Sequence, residues 1–520
     1  FYTVKNQYEA YLSQQYPDSI PTGKLGNIKN YFRMVNFWKK RLGIENDSTS
    51  FLPYIQSINN QAYMSVCGAT DPANWELVGP ANLPSQTNGL VSQVLYDPNI
   101  PDSYLLCSDH GGIWKNQIAG NTWRNVTDVL KIPGLACTEM IRNPFNNNHI
   151  IVSTSSTLHH GDFPGYGQGL IESFNNGNDW GIMPSFPNSD YPAILKVIAD
   201  PNDVNPVDGL TLFAIGIHKL YKSINTGLTW SIVNNLPALN QNTTYTDIEI
   251  ANNGDVFLTR RSLYNDIDGQ LFKFHNGTWA DISSKLPDFQ KMKLLKPYNG
   301  KIYATINNYK IYKTIDFGET WTKVNFTNDN ISEMSGEIEY SPTTEIIYIG
   351  SVYLHYFKDL AGTNTLKTLN TGHPDVRDIV LMGVDEQGYE NLLIANDGGI
   401  SKVKIHTQNL SHNTPVNLNG NFLPIEDCMG MGVSTKYSEF IVTGVTHNHS
   451  FKYQNGNWTN FFYGDGGDCE VNWDNPDIYY YQGNESMMGS VGSSSFSYAN
   501  PKWFIGMEYE LNPNNPYILY

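Results

Sequence analysis

Charged side chains are scarce here. They make up 16% of 520 residues, against about 25% in an average globular chain, which argues against salt-bridged helical bundles and coiled coils. Basic groups are scarcer still: 33 Lys and Arg stand against 50 Asp and Glu, for a net charge of −17. That balance argues against a nucleic-acid groove or an anionic membrane surface, so no nucleic-acid partner is expected. The five cysteines (Cys67, Cys107, Cys137, Cys428, Cys469) show no CxxC spacing, so no zinc site is expected, nor any other metal or cofactor. One or two disulfides are open to them outside the cytoplasm, and the odd count leaves at least one over. No apolar run is long enough to cross a bilayer, so no transmembrane segment is expected. No signal peptide is visible either. The chain starts at Phe1 as a mature or trimmed protein would.

Aromatic residues are plentiful at 13%, and many tryptophans close a recurring turn. Lys313–Val324 reads KTIDFGETWTKV, Ser223–Trp230 reads SINTGLTW, Ser173–Trp180 reads SFNNGNDW, and Asn116–Trp123 reads NQIAGNTW. Shorter versions, HNGTW and QNGNW, occur at His275–Trp279 and Gln454–Trp458. Asp or Asn can accept bonds from its own turn, and the glycine two residues on supplies a positive φ. The tryptophan then opens the returning strand. A second signal runs in phase: a turn such as Asp97-Pro98-Asn99 or Asp200-Pro201-Asn202, followed by an apolar β-rich run. These runs (YLLCS, IIVSTS, LFAIG, VFLT, KIYATI, IIYIGS, LLIAN, FIVTG, IYYYQG and YILY) begin roughly 40–55 residues apart, the period of propeller blades. Each repeat offers strands A to D. Strand A ends at the Asp-Pro-Asn turn, B is the β-run, C leads into the recurring turn, and D carries the tryptophan.

The expectation is an all-β chain of four-stranded sheets over residues 72–520, with nine complete repeats and a tenth cut off at Tyr520. It is organised as one large ring, or as a seven-membered ring running into a second. Residues 1–66 read differently, as a helical lead-in and linker. Ile28, Tyr31, Phe32, Val35, Trp38 and Leu42 fall at helical spacing between Asn27 and Gly43.

The recurring turn resembles the Asp-box of sialidases, sortilin-type ectodomains and xyloglucanase-type hydrolases. The structural residues implied are Asn175, Gly177 and Trp180, then Asn225, Gly227 and Trp230, then Asp316, Gly318 and Trp321. More broadly, the order WELVGP, YDPNIPDSYLLCSDHGGIWKN, HPDVRDIVL, NLLIANDGGISK, GVTHNHS and GDGGDCEVNWDNPDIYY is similar to a family of secreted β-propellers of Bacteroidetes, cargo of type IX secretion. That resemblance implies an extracellular or outer-membrane-surface location and the secretion machinery as a partner. The chain departs from the family where Thr446-His447-Asn448-His449 replaces a Gln-Asp-Asn-Gly loop.

In an up-and-down four-stranded sheet the A–B and C–D turns share one end, while the B–C and D–A loops share the other. The unusual residues lie in the second set. The B–C loops hold Asp109, His110, His159, His160, Asp162, Asn396, Asp397, His447 and His449. The D–A loops hold His373, Asp375, Arg377, Asp465 and Asp468. These define a candidate face for a glycan or protein ligand. Two functions are weighed: a surface-displayed binding module, which is the favoured reading because no acid–base pair is identifiable, and, as the alternative, a glycoside hydrolase of xyloglucanase type. The latter needs two carboxylates about 5–5.5 or 6.5–9.5 Å apart, and the sequence singles out no such pair. A sialidase would need an arginine triad, and the seven arginines here offer none.

Overall fold

The computed structural model describes residues 78–519 apart from interruptions, chief among them 156–166, 187–192, 204–208, 237–242, 263–268, 287–291, 328–336 and 498–510. Before residue 78 it describes only Ala10, so the expected helix at 27–43 lies outside the described residues. Strands dominate what is described. They form nine four-stranded antiparallel sheets, one antiparallel hairpin at Leu511–Leu519, and a short parallel pair between Asn325–Phe326 and Thr363–Asn364. Every β-run picked out by the repeat is found as a strand, and in each complete sheet it is B, paired between A and C.

The chain separates into two compact units. Residues 90–130 and 134–420 make one, with seven of the four-stranded sheets, and residues 421–519 together with the described part of 78–89 belong to the other. In the first sheet the strands are A (Val91–Tyr96), B (Tyr104–Ser108), C (Ile113–Gln117) and D (Thr122–Asn125). B strands are buried end to end, as in Ile150–Thr154, Leu212–Gly216 and Ile346–Gly350. A strand buried on both faces reads as a continuous apolar run, and that is how these were legible.

Within the seven-sheet unit the A strands pack against one another in succession. Strand A of the first sheet touches strand A of the second and also that of the seventh, Val376–Val384. The Val94 N–H donates to Asp378 Oδ2 of the seventh sheet at 2.8 Å. Five of the seven A strands carry a β-bulge near their start, leaving Ser92, Thr138, Leu195, Thr246 and Arg377 unpaired in the ladder. A bulge re-aims the extra side chain. The Ser92 hydroxyl donates to the Cys137 carbonyl of the second sheet (2.9 Å), and Thr138 donates to the Ile194 carbonyl of the third (2.7 Å). Leu195 packs into the apolar layer shared with the fourth sheet.

The three long turns are built alike. Gly177, Gly227 and Gly318 each donate N–H to a side-chain oxygen four residues back, on Ser173, Ser223 and Thr314, at 2.9 Å every time. Asn175, Asn225 and Asp316 each accept from the N–H four residues on. These bonds hold the Asp316 carboxyl down at about 2, with the Thr320 hydroxyl and N–H the largest causes. The residue before each glycine (Asn176, Thr226, Phe317) is also left-handed, with φ of 55–58°, a feature the sequence reading did not anticipate. Each glycine seats the turn on the preceding sheet. A Cβ on Gly177 would meet Leu105 at 2.6 Å, and one on Gly318 would meet Phe257 at 3.0 Å. Trp123 and Trp180 are buried, while Trp230, Trp279, Trp321 and Trp458 are half-buried.

The two shorter versions are a different device. Asn276-Gly277 and Asn455-Gly456 are two-residue hairpin turns with φ of 47° and 83°, and of 52° and 78°. Two successive positive φ values define the type I′ turn that suits strand twist. Residues 118–121 of the Asn116–Trp123 version lie outside the described residues.

Two predictions follow from these elements. Gly318→Ala meets both a strained φ of +85° and Phe257, whereas at Gly277, φ +83°, nothing lies within 4 Å. Chemical denaturation should give about 1–2 kcal/mol for Gly277→Ala from backbone strain alone, and clearly more for Gly318→Ala. Equal losses would remove the packing role of the longer turn. The second prediction concerns His355, buried beside Thr368 Oγ1 at 2.9 Å, whose burial lowers its pKa from 6.5 to about 4. Between those values the unfolded chain binds the extra proton. The contribution of His355 is therefore complete above pH 6.5 and lost as pH falls towards 4, a change on the order of 3 kcal/mol. His218 is shifted in the same direction by burial. His355→Asn should flatten the fall in melting temperature over that window.

Candidate functional site

The ends of the strands away from the long turns carry the candidate loops. The 175–180 turn lies with the A–B turns: the Asn176 N–H donates to the Asn148 carbonyl at 2.9 Å, and Arg142 donates to Asn176 Oδ1 at 2.7 Å. Asn176 Nδ2 also donates to Asp97 Oδ2.

At the other end of the seven-sheet unit, two B–C turns share one plan. In the first sheet, Ser108 Oγ accepts from the Gly111 N–H (2.7 Å), and Asn125 of strand D donates to the Gly111 carbonyl (2.8 Å). In the seventh, Asn396 Oδ1 accepts from the Gly398 N–H (2.9 Å), and Asn419 donates to the Gly398 carbonyl (2.8 Å). Each turn thus presents one aspartate, Asp109 or Asp397, from a loop pinned at both ends. Gly399 sits at φ +123° with Asn419 Oδ1 2.1 Å from any added Cβ, so no other residue fits. Asn125 and Asn419 were missed by sequence reasoning. The only signal is their place at or just past the end of strand D, one of them two residues beyond an anchoring tryptophan.

Arg377 gathers this cluster. It occupies the bulge position that Ser92 and Thr138 fill elsewhere, and it points at its own sheet's loop. Its Nε and Nη2 donate to the two oxygens of Asp397 at 2.6 and 2.7 Å, a bidentate pair with Asp397 fully buried. Burial alone would lower the guanidinium pKa. The charge of Asp397 and its hydrogen bonds, reinforced by Asp375 and Asp109, raise it above its ordinary value. Asp109 pairs with His110 through Nδ1 and Oδ2 at 2.5 Å. The His373 ring covers Gly398, where a Cβ would lie 2.6 Å from its Cγ. Asp375, at φ 62°, is held by its N–H on the Val352 carbonyl at 3.2 Å. Asp109 and His110 thus lie in the B–C loop of the first sheet, Asp397 in that of the seventh, and His373 and Asp375 in the connection leading into the seventh sheet, with Arg377 and Asn396 in the strands beside them. His159, His160 and Asp162 lie outside the described residues.

The second unit holds its own group. His447 and His449 are both left-handed, with φ of 68° and 80°, a conformation that costs a non-glycine residue on the order of 1–3 kcal/mol. The turn is fixed by the Val445 N–H on the His449 carbonyl (3.0 Å) and the Gly464 N–H on His449 Nδ1 (3.1 Å). His449 packs edge-on against Tyr463 at 5.0 Å. Asp468 Oδ1 would lie 2.0 Å from a Cβ on Gly430, so the two A strands here approach through glycine. Glu426, just before the Cys428–Val433 strand, was also missed. Its stem is partly exposed but both carboxyl oxygens are shut off from solvent, and it faces Asn448. Burial, then the charge of Asp427, push its pKa well above the carboxylate range, so it holds a proton more readily than an ordinary glutamate.

No protein-family model matches this chain, and no curated protein matches it. Among solved structures it is similar to an ancestral GH74 enzyme, at 16% identity and TM-score 0.57, over 86% of this chain and 67% of that one. It is also similar to the GH74 xyloglucanase from Xanthomonas campestris (13% identity, TM-score 0.39, 82% of this chain and 75% of that one). A third is PorZ, a surface component of the type-IX secretion system of Porphyromonas gingivalis (13%, TM-score 0.36, 82% and 56%). The first of these shows a shared fold of repeated β-sheets. Identities this low speak to fold and not to activity.

The Arg377–Asp397 pair is buried and saturated, which predicts a structural cost for breaking it. Asp397→Ala leaves a guanidinium buried without its carboxylate and should cost about 3–5 kcal/mol in urea denaturation. The double variant Arg377→Met/Asp397→Leu should recover most of that loss. No recovery would show that the charge pair itself is required.

Proposed function

We propose that residues 90–420 close into a seven-bladed Asp-box β-propeller and that the protein is a glycoside hydrolase of xyloglucanase type, exported and acting on a polysaccharide. The observation that carries the fold part is the first A strand packed between those of the second and seventh sheets, with Val94 bonded to Asp378. A ten-bladed ring would keep those two strands apart. Similarity to a GH74 enzyme along 86% of the chain favours the hydrolase over other uses of a propeller, and this step is by analogy of fold.

The chemistry needs one carboxyl group that keeps its proton to protonate the leaving oxygen, and a second that is ionised. Glu426 has the raised pKa that the acid requires, and its enclosed carboxyl group would have to be uncovered to meet a glycosidic oxygen. Asp465 and Asp468 of the same unit are candidates for the ionised partner. Asp109 and Asp397 are poor candidates, since His110 and Arg377 already occupy them.

That occupancy favours a second reading for the seven-sheet unit, a binding face where pinned loops present His110, His373 and Asp375 to a glycan or protein ligand. The type IX cargo role rests on the sequence resemblance. One experiment separates the readings: incubate the full-length protein with xyloglucan and with mixed-linkage β-glucan, and measure both reducing ends and retention on the insoluble polymer. Release of reducing ends that Glu426→Gln abolishes, with retention unchanged, supports the hydrolase. Retention without release supports the binding module. Neither would set aside a glycan as the ligand.

A further inference from the structure

Two thiols that the fold brings together have no part in either site. Cys107 lies on strand B of the first sheet, and Cys137 opens strand A of the second. They are 0% and 2% exposed. The chain between them runs through two more strands, yet the Cys107 thiol lies within hydrogen-bonding reach of the Cys137 thiol. Ser92 fixes the backbone on both sides of this seam. Its hydroxyl meets the Cys107 carbonyl at 3.2 Å and the Cys137 carbonyl at 2.9 Å. The seam is thus held in register independently of the sulfur atoms, at a separation from which side-chain rotation brings them together.

We propose that Cys107 and Cys137 form a structural disulfide that cross-links the first and second sheets when the chain folds in an oxidising compartment. In the reaction both S–H bonds break and one S–S bond forms. The two electrons reduce a small-molecule disulfide such as oxidised glutathione, which leaves as two thiols carrying both protons, by way of a mixed disulfide. Timing follows from burial. In the folded protein Cys107 is enclosed, and burial, then Cys137 and the carboxylates of Asp378 and Glu139, disfavour its thiolate. Attack requires the thiolate, so the bond closes during folding and afterwards resists reductant. Cys428 and Cys469, in the other unit, are the competing pair. Cys469 is buried, while Cys428 leaves part of its surface open to solvent although its thiol is enclosed, and no hydrogen bond between the two thiols accompanies their charge interaction.

The test maps the bond and reads its effect. Cys67 and Cys107 share one tryptic peptide, since no Lys or Arg lies between residues 42 and 114, so the mapping uses a Cys67→Ser background. The chain is unfolded with reductant and refolded in oxidised and reduced glutathione. It is then alkylated with iodoacetamide in denaturant without reductant, digested, and analysed by mass. The expected result is a peptide pair joined through Cys107 and Cys137, with Cys428 and Cys469 alkylated. Where refolding yields too little protein, the same mapping is made on chain exported to a bacterial periplasm. A second readout is thermal: protein refolded in glutathione should melt several degrees above protein unfolded with reductant and refolded with reductant present throughout, a difference absent in Cys107→Ala/Cys137→Ala. Alkylation of both Cys107 and Cys137, linkage of either to another cysteine, or equal melting temperatures after the two refoldings overturns the proposal.

Discussion

Each of these sheets is too small to stand alone, and that constraint shapes everything else. A strand of five or six residues in a four-stranded sheet is buried on both faces only if another sheet lies on each side. The A strands are where neighbouring sheets meet. Their backbone polar groups must be matched across the seam, because a buried group without a partner costs about as much as a lost hydrogen bond. The β-bulge meets this need. In five of the seven sheets it frees one side chain of the A strand, and Ser92 and Thr138 use theirs to reach the carbonyl of the next sheet. Leu195 makes the same crossing with apolar contact.

Arg377 is the exception that locates the candidate site. Long and charged where its counterparts are short or apolar, it spends its crossing on Asp397 and draws Asp375 and Asp109 towards it. A buried guanidinium is stable only with its carboxylate in place. The loop that supplies Asp397 must therefore be rigid, and Asn396, Asn419 and the glycines beside them make it so. The same twice-pinned loop plan recurs in the first sheet around Asp109, although there the partner is His110, the next residue along the chain.

Much of the fold was legible because turns and B strands announce themselves locally. Gly177, Gly227 and Gly318 sit where a positive φ leaves little choice, and the B strands are unbroken apolar runs. The HNGTW and QNGNW segments were grouped with the longer turns because Asn-Gly before Trp looks the same in sequence. The difference lies in a Ser or Thr four residues before the glycine, which the two-residue hairpins lack. The bulges were not legible, since nothing marks Ser92 or Thr138 as unpaired until two strands are set in register. Candidate residues could be assigned to an end of their sheets, but not to partners. Arg377 and Asp397 stand twenty residues apart in sequence (|i−j| = 20) and read as separate loop residues. Glu426 carries no motif at all. Its character comes from what covers its carboxyl group, and covering is a tertiary property.

The contrast between Asp397 and Glu426 bears on activity more than any count of carboxylates. Both are acidic groups withdrawn from water, and burial penalises the charged form of each. Asp397 is compensated by a bidentate guanidinium, which offsets the cost of burying its charge. Glu426 has an amide before it and a like charge beside it, so the cheaper response is to keep the proton. A carboxyl group that burial makes slower to ionise holds its proton more readily than one paired with arginine. The same withdrawal from water is thus answered in two ways, by a paired cation in the seven-sheet unit and by retention of a proton in the unit that holds residues 421–519.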